Sequence, residues 1–122
     1  MKKLFISCPM RGRTEKNIRK TREKMHKIAE AIFEQELEVI ESYIDGRPQE
    51  NAKEKIWYLG KAIQMMSEAD YFIGVEYPYD FKGCMIENEV AARYEIERMY
   101  VRMEAVAPDA IERVGEAEKR CG

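Results

Sequence analysis

The 122-residue sequence contains one histidine, three cysteines and no long apolar run. The histidine, His26, falls inside a helical pattern and far from the predicted strand ends. We therefore expect a structural role for it, and no Ser-His-Asp or Cys-His catalysis. No segment approaches the roughly 20 apolar residues of a membrane-spanning helix, and the apolar stretch at the N-terminus is too short for a signal peptide. The sequence predicts a cytoplasmic protein with no membrane partner.

Metal-binding and nucleic-acid-binding signatures are also missing. Cys8, Cys84 and Cys121 lack metal-ligand spacing and are odd in number, which favours free thiols in a reducing compartment. The 21 basic and 23 acidic residues give a net charge of -2, and this balance argues against a surface for nucleic-acid polymers. Neither the P-loop pattern nor Gly-x-Gly-x-x-Gly is present. We expect no metal and no cofactor, while a single nucleotide is still allowed as a ligand.

Short apolar runs that alternate with helical patterns are what the sequence does contain. The runs at residues 4–7, 38–41, 71–75 and 99–103 predict four strands in βαβ units, and hence an α/β fold with a parallel sheet. Thr14 is a plausible N-cap for the first helix. The apolar positions of that helix predict one buried stripe, made of Ile18, Met25, Ile28, Ala29, Ile32 and Phe33.

The remaining elements complete a single domain over residues 1–122. A second helix is predicted at 51–67 and a third from 83 or 84 to about 96, while 107–122 form a C-terminal helix or tail. The buried stripe of the second helix comprises Ile56, Leu59, Ile63 and Met66. Further apolar residues widen that surface, which is either core or an interface with a second copy; they are Trp57, Tyr58 and the Met65–Met66 pair. We expect a homo-oligomer, a dimer or larger.

Ligands of open parallel sheets bind beyond the carboxyl ends of the strands, here the loops at 7–13, 42–49 and 76–83. In the first loop, Arg11 and Gly12 precede a helix start, which suits an anion or is simply a turn with surface arginines. In the third, Tyr79 and Asp80 place an aromatic ring beside a carboxylate. Glu87 follows near a helix N-terminus, where an ionised carboxylate could attack an anomeric carbon or merely stabilise the helix.

Three segments resemble one enzyme superfamily. They read LFISCPMRG at residues 4–12, SEADYFI at 67–73 and GCMIENEVA at 83–91. Together they resemble the nucleoside 2-deoxyribosyltransferase-like superfamily, and most of all its DUF4406 branch. The opening segment is also similar to the deoxynucleoside 5′-monophosphate N-hydrolases. The resemblance covers roughly residues 3–103.

The resemblance implies a three-layer, flavodoxin-like (Rossmannoid) sheet of four to five parallel strands with helices on both faces. It also implies cleavage of the N-glycosidic bond of a deoxynucleoside or its 5′-monophosphate. The family nucleophile is a glutamate four residues after a glycine and four before an alanine, and Gly83, Glu87 and Ala91 match that spacing. Taken with the loop residues above, the candidate substrate-binding positions are Phe5, Ser7, Pro9, Arg11, Gly12, Tyr79, Asp80, Gly83 and Glu89.

Two positions depart from the family pattern. The aspartate that assists the base is replaced by Ala62, and the one that transferases carry before the nucleophile is replaced by Phe81, beside Asp80. Three interpretations follow. The chain is an N-glycoside hydrolase or, less in keeping with the arginine-bearing first loop, a deoxyribosyltransferase. Alternatively, it binds a nucleotide or an ADP-ribose-like ligand without turnover. The third interpretation is a structural oligomer with a vestigial pocket.

Overall fold

The computed structural model describes residues 1–41, 44 and 46–111. Part of the predicted second loop, Cys121 and most of the predicted C-terminal tail lie outside the described residues. The elements alternate strictly along the chain. In order they are β1 (Lys2–Ile6), α1 (Glu15–Phe33), β2 (Leu37–Val39), α2 (Glu54–Met66), β3 (Tyr71–Val75), α3 (Lys82–Arg93), β4 (Glu97–Val101) and α4 (Met103–Val106).

The four strands form one parallel sheet in the order β2-β1-β3-β4. The chain moves from β1 to one side of the sheet and from β3 to the other, so the strand order reverses between these two strands. This reversal is the usual position of a ligand crevice in such folds. The three-layer α/β architecture expected from the sequence is therefore confirmed, with four strands among the described residues.

Alternate side chains of β1 enter two separate cores, as the pleat of a strand requires. Leu4 and Ile6 pack in the larger core, against α1 and α4. Phe5 points to the opposite face, which α2 and α3 cover, and its ring stacks on Phe72 with centroids 5.9 Å apart. Helices thus cover both faces of the sheet. Successive residues of a strand face opposite helices.

Element ends differ from the sequence-based bounds by up to three residues. β3 agrees at both ends, whereas β4 ends at Val101 because Arg102 caps the short α4 helix. The α2 helix begins at Glu54 instead of residue 51, after a turn in which the Ala52 N–H donates to Gln49 O. The Thr14 N-cap is confirmed, because its hydroxyl accepts a hydrogen bond from the Asn17 N–H at 3.1 Å.

Two residues of the predicted buried stripes are exposed, and Leu59 and Ile63 of the α2 stripe are only partly buried. Ile32 is 60% exposed and Ile56 is 64% exposed. Other residues of the same helices form the faces that pack, namely Phe33 at the end of α1 and Ala62, Met65 and Met66 in α2. Met25 and Ala29 at the middle of α1, and Met66 at the end of α2, are buried as expected. Among the described residues, no helix is both long enough and apolar enough to cross a membrane.

Candidate functional site

The centre of the candidate site is a contact between Ser7 and Glu87. Ser7 follows β1 directly, and its side chain points to the same face of the sheet as that of Phe5, two residues earlier. Glu87 lies on the side of α3 that faces the sheet, three residues after buried Cys84 and four before buried Ala91. The Ser7 hydroxyl donates a hydrogen bond to Glu87 Oε1 at 2.7 Å. The fully buried Ser7 hydroxyl therefore holds one oxygen of a carboxylate that lies 80 positions away in the sequence.

Burial raises the pKa of the Glu87 carboxyl above its ordinary value, while the hydrogen bond from Ser7 and the positive charge of Arg22 act in the opposite direction. The helix dipole does not favour the ionised form of Glu87, contrary to the expectation from the sequence. Glu87 is the sixth residue of α3, beyond the first turn over which the dipole acts. A pKa that rises through desolvation is typical of reactive carboxyl groups, although structural groups can show it too.

The two described cysteines flank this pair but remain protonated thiols. Burial raises the pKa of Cys8 to about 11 and that of Cys84 to about 12. Both groups are therefore inert at neutral pH, because the thiolate is the nucleophilic form. Glu87 is the stronger candidate nucleophile at this end of the sheet.

The first loop holds two arginines in different states. The Arg13 side chain is only 1% exposed, and it forms a bidentate pair with Asp109 through contacts of 2.8 Å. It also donates to Pro9 O and to the Thr21 hydroxyl. Arg13 is thus a structural clamp. Arg11 is exposed, and no clamp of this kind holds it within the described part of the chain, so it is the arginine of this loop that a ligand could reach.

Gly12 is explained by the turn that separates these arginines. Its φ is +71°, and the Arg13 N–H donates to Met10 O at 3.1 Å to close the turn. A positive φ at this point favours glycine whether or not a ligand binds there. Gly12 and Arg13 are therefore explained by the structure of the loop itself. Arg11 is the residue of this turn that is still a candidate for binding a ligand.

The third loop lines an open cavity of about 500 Å³. Tyr77 and Tyr79 are 73% and 69% exposed, and their rings stack with centroids 5.9 Å apart. Tyr77 has a φ of +51°, a conformation that is strained for an aromatic residue and more often found at functional sites. Asp80 is also in the lining, together with Glu76, Phe81, Arg102, Met103, Glu104 and Ile111.

The structure therefore distributes the predicted site residues over three settings. Ser7 meets Glu87, while Tyr79 and Asp80 line the cavity, and Glu87 is not part of that lining. Phe5 and Pro9 are buried, Phe5 in the core of the α2–α3 face. Gly83 and Glu89 are exposed on α3. A Cβ at Gly83 would meet no atom within 4 Å, and Glu89 forms an ion pair with Arg93.

Two residues close to Glu87, Arg22 and Asn88, were not predicted from the sequence. Arg22 of α1 is partly buried and lowers the pKa of both Glu87 and Cys8, but its helical position gave no signal beyond an ordinary charged face. Asn88 follows Glu87 and reaches the sheet, where its Nδ2 donates to Val75 O at 3.0 Å. The glycine at position 74, inside a buried strand, was the available signal for such a close approach.

No cluster of three or more potential metal ligands occurs in the described part of the chain. The candidate features are the Glu87 carboxylate with its Ser7 donor and, separately, a cavity lined by Tyr77 and Tyr79. No family model, no curated protein and no solved structure matches the sequence or the fold.

Proposed function

We propose that the protein cleaves the N-glycosidic bond of a deoxynucleoside or a deoxynucleoside 5′-monophosphate, with Glu87 as nucleophile. The observation that carries the proposal is the 2.7 Å hydrogen bond from the Ser7 hydroxyl to Glu87 Oε1. It lies at the carboxyl end of β1, beside the point where the strand order reverses, which is where ligands of this architecture bind. The resemblance of residues 83–91 to the superfamily supports the same glutamate.

The proposed chemistry is a double displacement. The Glu87 carboxylate attacks C1′ of the deoxyribose, the C1′–N bond breaks, and the base leaves with the bonding electrons. Ser7 holds Oε1, so Oε2 is the attacking oxygen. Attack of water at C1′ then breaks the glycosyl ester, transfers a proton to the medium and completes hydrolysis. Attack by a second base would instead complete a transfer.

The cavity beside the third loop is the proposed place for the base. Its volume of about 500 Å³ suits a nucleoside-sized group. The exposed ring of Tyr79 offers a stacking surface, and base–aromatic stacking contributes about 1–3 kcal/mol per base. The Asp80 carboxylate could accept hydrogen bonds from an exocyclic amino group. A phosphate, where present, would lie at Arg11, whose side chain is exposed.

The decisive experiment measures free base by chromatography after incubation with a panel of deoxynucleosides and their 5′-monophosphates. We expect base release by the wild-type protein and none by Glu87→Ala or Glu87→Gln, because neither variant has a carboxylate at that position. The matched control is Glu97→Gln, which alters an exposed glutamate at the amino end of β4. Base release that persists in both Glu87 variants would refute the nucleophile.

The phosphate proposal has its own test. Arg11→Ala should weaken monophosphate binding roughly 10- to 100-fold, the range expected for loss of one charge-assisted hydrogen bond, and leave nucleoside binding nearly unchanged. Calorimetry with matched nucleoside and monophosphate pairs measures the difference. Equal losses for both ligands would show that Arg11 does not contact the phosphate.

One observation favours a second candidate, a module that binds a nucleotide or an ADP-ribose-like ligand without turnover. Both positions at which the family carries its assisting aspartates hold core side chains here: Ala62 packs against the α2–α3 core, and Phe81 is buried. Without such acid–base assistance, a reaction typically loses about 10²–10⁴-fold in rate. Ligand binding that leaves every substrate intact, and that Glu87→Gln does not alter, would support this candidate.

A further inference from the structure

Gly74 is an unusual residue for the middle of a buried strand, and Asn88 accounts for it. The position faces α3, because it lies two residues after Phe72 on β3. A Cβ built there would lie 2.3 Å from Asn88 Oδ1 and 2.8 Å from Phe72 Cε1. Any side chain at position 74 would thus displace the Asn88 amide. The missing side chain makes room for a polar group of the helix to reach the sheet.

The Asn88 amide ties α3 to the end of β3. Its Nδ2 donates to the carbonyl of Val75, the last residue of the strand, at 3.0 Å. The opposite orientation of the amide would set Oδ1 against that carbonyl oxygen, so the hydrogen bond determines the orientation. Oδ1 then lies over Gly74, buried and without a hydrogen-bond partner among the residues that the structure describes.

This arrangement is a costly way to pack a helix on a sheet. A buried acceptor without a partner loses its hydration and gains nothing in return. Ala91, one turn further along the same face of α3, packs against the sheet with no polar group and no exposure. Because Oδ1 is fully covered, a ligand cannot use it either. The arrangement must therefore be explained by what the Asn88 anchor holds in place.

Both partners of the Ser7–Glu87 hydrogen bond are positioned relative to β3. The Ser7 backbone N–H donates to Ile73 O at 2.9 Å, which places the serine. Asn88 binds Val75 O two residues further along the same strand, which places the adjacent Glu87. We infer that Asn88, admitted by Gly74, is a positioning residue that holds α3 at the height where the Glu87 carboxylate meets the Ser7 hydroxyl. Its significance for catalysis rests on the proposed function; the positioning itself does not.

A double-variant cycle on the Glu87 carboxyl tests this inference. The pKa of Glu87 is followed by its carboxyl ¹³C shift, assigned by its disappearance in Glu87→Gln. In the wild-type background, Ser7→Ala should raise this pKa, because the lost hydrogen bond stabilised the carboxylate. In the Asn88→Ala background, Ser7→Ala should shift the pKa by less than half as much. The same shift in both backgrounds would overturn the inference.

Three comparisons make the result specific. Gly74→Ala should reduce the Ser7→Ala shift as Asn88→Ala does, because a Cβ at position 74 displaces the Asn88 amide. This variant replaces Asn88→Ala in the test if Asn88→Ala does not fold. Asn51→Ala alters an exposed asparagine in the turn before α2 and should keep the full Ser7 effect. Base release is measured in parallel. If the Ser7→Ala shift depends on Asn88 but no base is released, the proposed enzymatic function is refuted and the positioning role stands. If base is released but the shift does not depend on Asn88, the positioning role is refuted and the enzymatic function stands.

Discussion

The Glu87 carboxyl should influence how stability depends on pH. Because its pKa is raised in the folded protein, the folded state binds this proton more tightly than the unfolded state, for which the ordinary value is 4.5. Stability contributed by this group is therefore fully present below pH 4.5 and is lost as the pH rises through the folded-state pKa. At neutral pH the buried carboxylate is a cost to the fold.

Glu87→Gln should therefore stabilise the protein at neutral pH. Glutamine removes the buried charge and still offers a carbonyl oxygen to the Ser7 hydroxyl. We expect a gain in the free energy of unfolding of about 0.5–2 kcal/mol at pH 7, the range typical of single stabilising substitutions. Urea denaturation at pH 7 and at pH 4 measures it, and the gain should largely disappear at the lower pH. A loss of stability at pH 7 would contradict the prediction.

At the scale of elements, the Arg13–Asp109 pair joins the first loop and α1 to the segment after α4. The guanidinium is almost completely buried and also binds Thr21, whose hydroxyl donates to Val106 O at 2.7 Å. These contacts connect residues 96 and 85 positions apart in the sequence. They hold the first loop in one conformation, and they explain why only Arg11 of that loop is available to a ligand.

Asp109→Ala should destabilise the protein strongly, because it leaves the Arg13 charge buried without its carboxylate. We expect a loss of about 3 kcal/mol, the lower end for breaking a buried pair, since Asp109 itself is partly exposed. The matched control is Glu89→Ala, which breaks the exposed Arg93–Glu89 pair and should cost less than about 0.5 kcal/mol. Urea unfolding measures both variants. Equal effects would show that the buried pair adds no particular stability.

At the scale of the whole molecule, a homo-oligomer remains a prediction. The apolar surface of α2 on which it rests excludes Met66, which is part of the core, but includes Ile56, which is 64% exposed. Trp57 and Tyr58 remain partly exposed, in edge-to-face contact at 5.0 Å, and the Lys61 ammonium lies 5.2 Å from the Trp57 ring centroid. These three residues of α2 define the candidate contact surface.

Light scattering after gel filtration tests the prediction. We expect a mass that is a multiple of 14.4 kDa, and Trp57→Glu should reduce it, because a charge would have to be buried in the contact. The control is Ile32→Glu, at an exposed apolar residue of α1 on the other face of the sheet. A mass of 14.4 kDa at every concentration, or an equal effect of the control, would refute this interface.

Local patterns alone determined the α/β class, the order of elements, the bounds of β3 and the Thr14 cap. Each of these depends on residues that are neighbours in the sequence, such as alternating apolar side chains or a hydroxyl three residues before an N–H. Helical periodicity failed at Ile32 and Ile56, because it cannot reveal which of several apolar residues on a helix faces the sheet. It identified Glu87 only as one acidic residue of a helix, and the family resemblance made it the candidate nucleophile.

Tertiary structure decided which of these residues meet. The Ser7–Glu87 contact, the Arg13–Asp109 clamp and the Gly74–Asn88 fit each join residues from different elements, so no local pattern could reveal them. Strand alternation, once the register was established, placed Phe5 in the core and turned Ser7 toward α3. The physical reason is that propensity acts between neighbours in the chain, whereas burial and hydrogen bonding act between neighbours in space. Glu87 was recognisable in the sequence, and only the fold supplied its donor and raised its pKa.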